Sequence, residues 1–253
     1  MNPAASLPPQ PGGSPTPSQA RLLVLAATSP ELAPLERALG HPPRSTLFDF
    51  LLCGVGPVAS AATVAAHLAT RSSTYAGVVL SGVGGLYPRE PSGCSGEPGL
   101  LEICLAEREI LADFGIAAPH GAEPFSGSNF AAPHDFPLQS TLTSLAAAIL
   151  TELAIPFYRG VFLTLNATTA TRERGMALRD RHGGLCENME GAAVALVCQR
   201  LGLPLLEMRC ISNLVEDRDL RRWRLAEAIA RQAEIMSRLL PRLAAAPLSR
   251  SRS

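Results

Sequence analysis

The apolar positions of this chain fall into short continuous runs separated by stretches with helical spacing. Residues 21–27 (RLLVLAA) form an apolar run bounded by turn residues, as expected of a parallel strand buried on both faces. Thr28-Ser29-Pro30 turns the chain, and a helix follows through Glu31, with Ser29 as its cap and Pro30 at the first helical position. A strand pair is expected within 46–53, then Gly54-Val55-Gly56-Pro57 and a helix over 58–69. Residues 76–80 read as a strand ending in the glycine-rich loop Ser81–Leu86. Loops are expected at 87–99 and 117–139, with a strand at 100–107 between them. Further on, the pattern predicts a helix over 142–153, a strand over 161–166 and a mostly helical 168–182. It ends with a helix over 189–201, a strand over 205–211 and a long terminal helix over 220–243. This alternation argues an α/β fold, a mostly parallel or mixed sheet covered on both faces.

Composition narrows the picture. A chain of 253 residues with 47% hydrophobic content can bury one large core. Lys plus Arg and Asp plus Glu are both 22, so no charge excess points to nucleic acid or an anionic membrane. Aromatics are 5%, too few for base-stacking platforms, and no segment is apolar for long enough to span a bilayer. The first 20 residues are rich in Pro, Ser and Gly and lack a basic start and an apolar stretch; they read as a disordered tail rather than a signal peptide. The domain is expected over 21–245, with a polar tail from 246 to 253.

Cys53, Cys94, Cys104, Cys186, Cys198 and Cys210 form no CxxC pair, which suits a reduced, cytoplasmic protein. With five histidines and no ligand spacing, no metal site is expected. The Gly54-Val55-Gly56 turn lacks the third glycine of a dinucleotide fingerprint, so no nicotinamide cofactor is expected either.

Candidate chemistry gathers where strands end. Glu31 follows the first strand in the first turn of a helix. There it either orients and deprotonates a water or merely complements the helix dipole. Glu187 and Glu190 are three apart and share a face if one helix carries both; if the helix begins near Met189, Glu187 points elsewhere. Glu190 precedes Gly191-Ala192-Ala193, small residues that leave a carboxylate room to accept from a sugar diol, with Met189 able to lie against the sugar or base. Asn213 closes a strand with both a donor and an acceptor, the polarity of a 6-oxopurine edge after N7 protonation; it serves equally as a turn residue. The run Glu216–Trp223 is mostly a solvated face, though one of its Arg residues can reach a ligand carboxylate.

Taken together, VLAATSPELAPL, CGVGPVASA, SGVGGL, FLTLNATTA, NMEGAAVALVCQRLGLP and MRCISN resemble, in order and spacing, the nucleoside phosphorylase/hydrolase superfamily over residues 21–243. The resemblance implies a three-layer α/β/α sandwich around a mixed sheet, a purine nucleoside as substrate, and a homo-oligomer, most simply a dimer. It implies that Glu31 holds the attacking water, that Met189 and Glu190 contact ribose, and that Asn213 faces the base. Gly84, Thr168 and Thr169 would line the pocket. Related adenine-specific hydrolases carry Asp where this chain has Asn213, and a stacking aromatic where it has Thr168. An inosine-like base is therefore implied, with Phe162 or an aromatic within 125–136 replacing the stacking ring. ENMEGAA, RCISN and VEDRDLRRW are similar to a hydrolase branch whose substrate carries a carboxyaryl group beyond C5′. Arg218, with Arg209 behind it, is the cation implied for that carboxylate.

Overall fold

The computed structural model describes residues 21–40, 47–88, 98–118, 121–123, 125, 132–216 and 218–246. The two expected tails, apart from Ala246, the expected loop residues 89–97 with Cys94, Phe130 and Asp217 lie outside them.

The chain alternates strands and helices in the order β1 (Leu22–Ala26), α1 (Ser29–Leu39), β2 (Phe48–Leu52), α2 (Pro57–Leu68), β3 (Gly77–Leu86), β4 (Ile103–Leu111), β5 (Ile116–Ala118), β6 (Gly121–Glu123), β7 (Asp135–Pro137), α3 (Thr141–Glu152), β8 (Phe157–Thr164), α4 (Arg172–His182), β9 (Gly184–Asn188), α5 (Gly191–Arg200), β10 (Leu205–Leu214) and α6 (Leu225–Ala245). The main sheet runs β10-β4-β8-β9-β3-β1-β2, with β7 on β4. β10 also pairs with β3, so five of the strands close on themselves. Pairing is parallel for β1–β2, β1–β3, β3–β10, β4–β8 and β8–β9, and antiparallel for β10–β4, β3–β9 and β4–β7.

Both faces of β1 are buried, because alternate residues feed two different cores. Leu23 and Leu25 join Val64, Leu68, Val194 and Val197 beneath α2 and α5. Leu22 and Val24 join Leu142, Met236 and Leu240 beneath α1, α3 and α6. The result is the expected α/β/α layering around a mixed, mostly parallel sheet.

Several local expectations change. Residues 46–53 give one described strand, β2, paired parallel to β1, not a strand pair. The apparent glycine loop Ser81–Leu86 is the second half of β3, held in the ladder by β10 on one side and by β9 at its end. Glycine content masked a strand because neighbouring side chains need the space over it. The 117–139 loop contains the β5–β6 hairpin and β7. Glu187 lies on a strand that periodicity did not show, β9, while Glu190 sits at the N-cap of α5; the two do not share a helix. The terminal helix is broken: a single 3-10 turn at Leu220–Arg222 precedes α6.

Candidate active site

The ends of β1, β3 and β10, the β9–α5 junction and Thr168-Thr169 surround a cavity of about 180 Å³. Glu31, Gly84, Thr168, Thr169, Glu187, Met189, Glu190, Arg209 and Asn213 all line it, together with Trp223, which sequence reasoning left on a charged surface run. Among the described residues, no cluster of three His, Cys, Asp or Glu side chains is arranged to hold a metal.

Glu31 is the third residue of α1, and the N-cap is Thr28 rather than Ser29. Its Oε2 accepts from the Thr28 backbone N–H at 3.1 Å and from the Thr28 hydroxyl at 2.7 Å. Its Oε1 accepts from the Val83 N–H at 3.2 Å. The carboxylate thus bridges α1 and β3. Gly82 makes room for it: a Cβ there would lie 2.7 Å from Arg209 Nη1 and 3.0 Å from Glu31 Oε1.

Glu190 is held from two sides. Gly56, at φ 90° where a side chain would be strained, donates its N–H to Glu190 Oε1 at 3.2 Å. Both terminal nitrogens of Arg209 donate to Glu190 Oε2 at 3.3 Å. Arg209 Nε donates to Glu207 Oε1 at 2.9 Å, and Nη1 to the Val83 carbonyl at 3.3 Å. Burial favours the neutral form of the guanidinium, but Glu207, Glu190 and Glu31 outweigh this and hold its pKa above the usual value. The structure therefore corrects one expectation. Arg209 is 2% exposed and saturated by the protein's own groups, so it positions Glu190 and is not a cation for a ligand carboxylate.

Behind Arg209 lies a pair of acids that sequence reasoning missed, Glu109 and Glu207, both 0% exposed. A Cβ added at Gly191 would lie 2.1 Å from Glu109 Oε1 and 2.5 Å from Glu207 Oε2, so the two carboxyl groups meet over that glycine. Glu109 accepts from the Thr164 hydroxyl at 2.8 Å and from the Asn188 amide. Burial, then the charge of Glu207, pushes Glu109 well above the carboxylate range. Burial also raises Glu207, but Arg209 opposes the rise. Both shifts point upward, and the Arg209 guanidinium favours the charged form of Glu207 over that of Glu109. Nothing in the spacing of residues 109 and 207 signals this pairing; only the unusual presence of Glu within apolar strand patterns marks them. Asn188, two residues before the N-cap of α5, steadies the start of that helix, its Oδ1 accepting from the N–H groups of Glu190 at 2.9 Å and Gly191 at 2.7 Å.

A bulge between Ile211 and Asn213 brings Asn213 opposite Gly85. Its Oδ1 accepts from the Ser212 hydroxyl at 2.8 Å and its Nδ2 donates to the Leu214 carbonyl at 3.3 Å. At the mouth, exposed Arg218 lies 5.5 Å from the Trp223 ring centroid and donates to the Thr168 hydroxyl at 3.4 Å. Phe162 does not reach the cavity. It is 0% exposed within the core under α5, which corrects its expected role in base stacking. Phe125 is exposed against Phe114, and neither lines the cavity. Burial pushes the Cys53 thiol up to about 12, so it stays protonated beside Glu190 and is no nucleophile.

A cleft at the carboxyl ends of parallel strands, with carboxylates on two sides and an amide at its base, defines an enzyme site for a small polar molecule. Residues 50–242 match the family model described as the phosphorylase superfamily. The futalosine hydrolase of Thermus thermophilus is 35% identical over 201 residues, covering 78% of this chain and 83% of that protein. The futalosine hydrolase of Streptomyces coelicolor is 33% identical over 240 residues, covering 87% and 95%. The chain belongs to the phosphorylase superfamily, within its futalosine hydrolase family. The fold agrees: the native structure of Helicobacter pylori futalosine hydrolase superposes with a TM-score of 0.73 at 19% identity, over 88% of this chain and 98% of that one. Helicobacter pylori 5′-methylthioadenosine/S-adenosylhomocysteine nucleosidase, in a mutant form with 5′-methylthioadenosine in its active site, gives 0.73 at 20% identity, over the same shares.

Proposed function

We propose that this protein hydrolyses the N-glycosidic bond of futalosine, releasing hypoxanthine and dehypoxanthine futalosine, a step of menaquinone biosynthesis. The observation that carries the reading is the convergence of Glu31, Glu190 and Asn213 on one cavity whose single described lining cation, Arg209, is spent on internal carboxylates. Phosphate would meet Glu31 and find no free cation among the described residues lining the cavity, whereas water finds a base. The similarity to futalosine hydrolases over most of the chain supports the choice of substrate.

In this reading Met189 and Glu190 hold the ribose, with Glu190 accepting from the 2′- and 3′-hydroxyls and stabilising the oxocarbenium character that develops at C1′. Glu31 takes a proton from the water attacking C1′. Asn213 faces the N7/O6 edge of the base, Gly84 and Thr168-Thr169 line the pocket, and Arg218 at the mouth meets the carboxylate beyond C5′. No cofactor or metal takes part.

The site lies beside an apolar surface: Leu52, Val55 and Val58 are 43%, 55% and 80% exposed. This patch supports a homodimer formed through the start of α2. The five described cysteines are buried free thiols, which supports a reducing cytoplasmic setting. No helix among the described residues is long and apolar enough to cross a membrane.

The test is incubation of the pure protein with futalosine, inosine and methylthioadenosine, with and without phosphate, with free base quantified by chromatography. Phosphate-independent hypoxanthine release from futalosine, with little from inosine, is expected. Cleavage that requires phosphate, or that ignores the 5′ group, overturns the reading.

A further inference from the structure

We infer that Glu187 is the general acid that protonates the departing purine, and that Asn213 beside it only orients the base. This rests on the nucleoside-cleaving reading above and adds a catalytic residue to it.

The need arises from chemistry. When the C1′–N9 bond breaks, its electron pair stays on the purine, which becomes an anion unless a proton arrives. An amide has no such proton to give, and Asn213 already accepts from Ser212 and donates to Leu214. A proton donor is needed next to it.

Glu187 stands there. A Cβ added at Gly85 would lie 3.1 Å from Asn213 Nδ2 and 3.3 Å from Glu187 Cγ, so the two side chains flank the same strand residue. Glu187 is 7% exposed and lines the cavity. Its Oε1 accepts from the Thr169 N–H at 3.0 Å, which fixes the carboxyl. Its Oε2 is buried without a hydrogen-bond partner. The hydroxyls of Thr169 and Tyr87 lie against the same carboxyl, outside normal hydrogen-bond geometry, and still favour its charged form. Burial makes the ionised form costly in such a place, whereas the protonated carboxyl carries an O–H beside the amide of Asn213. The charge environment agrees. Burial raises the Glu187 pKa, against opposing contributions from Thr169, Tyr87 and Arg174 of α4. The elements around it supply Tyr87 from the end of β3, Arg174 from α4 and Thr169 from the β8–α4 segment.

The step balances. Glu187 gives its proton to purine N7 as the N9–C1′ bond breaks. Water gives hydroxide to C1′ and a proton to Glu31. Solvent exchange then returns Glu31 to the carboxylate and Glu187 to the acid. The products are the neutral purine and the free sugar.

The experiment compares wild type with Glu187→Gln and Glu187→Asp on futalosine and on its N7-methylated form, whose base leaves as a neutral molecule and needs no proton. Thermal midpoints confirm folding of each variant. Glu187→Gln should lower kcat on futalosine by about 10²- to 10³-fold and flatten the alkaline limb of the pH profile. On the N7-methylated substrate it should lose far less. Glu187→Asp should keep part of both the rate and the limb. Equal losses on the two substrates, or unchanged kcat on futalosine, overturn the assignment. If wild type leaves futalosine intact but cleaves another purine nucleoside, the substrate reading fails alone, and the same comparison on that nucleoside and its N7-methylated form decides the role of Glu187. If wild type cleaves no purine nucleoside, both fail.

Discussion

Arg209 and Glu190 form an ion pair at 3.3 Å whose side chains are 2% and 4% exposed, and the pair couples a cavity-lining carboxylate to the interior of the sheet. Removing one partner of such a pair leaves the other charge buried. Arg209→Met strands both Glu190 and Glu207, and should cost about 3–5 kcal/mol in urea unfolding as well as most of the turnover. A variant with wild-type stability would show that the pair is not the anchor described.

Glu31 should separate activity from folding. Glu31→Ala removes the reach-back to the Thr28 N–H, a loss of about 1 kcal/mol. It also removes the base proposed to receive the water proton, so kcat should fall about 10²- to 10⁴-fold. Base release and chemical denaturation, measured on the same preparation, check both halves.

Glu109 predicts a pH dependence of stability. Burial and Glu207 raise its pKa in the folded chain above the ordinary 4.5. The folded state therefore keeps a proton that the unfolded chain releases. The stabilisation is complete below the unfolded value and is lost as pH rises toward and through the folded one. Glu187 and Glu207, also raised, add slope of the same sign. Glu109→Gln keeps a neutral donor to Glu207 and should remove part of the decline. Urea midpoints at about pH 5 and about pH 8 test this; an unchanged slope in the variant counts against the retained proton.

Arg218 should affect recognition and leave the chemical step alone. It is exposed, stacked on Trp223, and makes no ion pair among the described residues. Arg218→Ala should raise KM for futalosine about tenfold or more while changing kcat little, the cost of losing one charge-assisted contact. Weak inosine cleavage should be unaffected. An equal effect on both substrates would move the carboxylate contact elsewhere.

The sequence by itself determined the layering and the end of the first strand. β1 is apolar at every position, and that is legible because a strand buried on both faces has no polar alternative. Glu31 and Asn213 sit where runs end, so their place at the rim followed from chain order. Only the tertiary structure decided what meets what. The expected glycine loop at 81–86 became a strand because Arg209, Glu31, Glu187 and Asn213 pack over its bare positions, and those residues are distant in sequence. Arg209 became a positioning group and Phe162 a core residue because burial and partners are set by the closing of β3, β10, β4, β8 and β9 on one another. The Glu109–Glu207 pair and the buried carboxyl of Glu187 arise the same way. Desolvation and the charge of a neighbour act through space, and local sequence pattern carries no record of either.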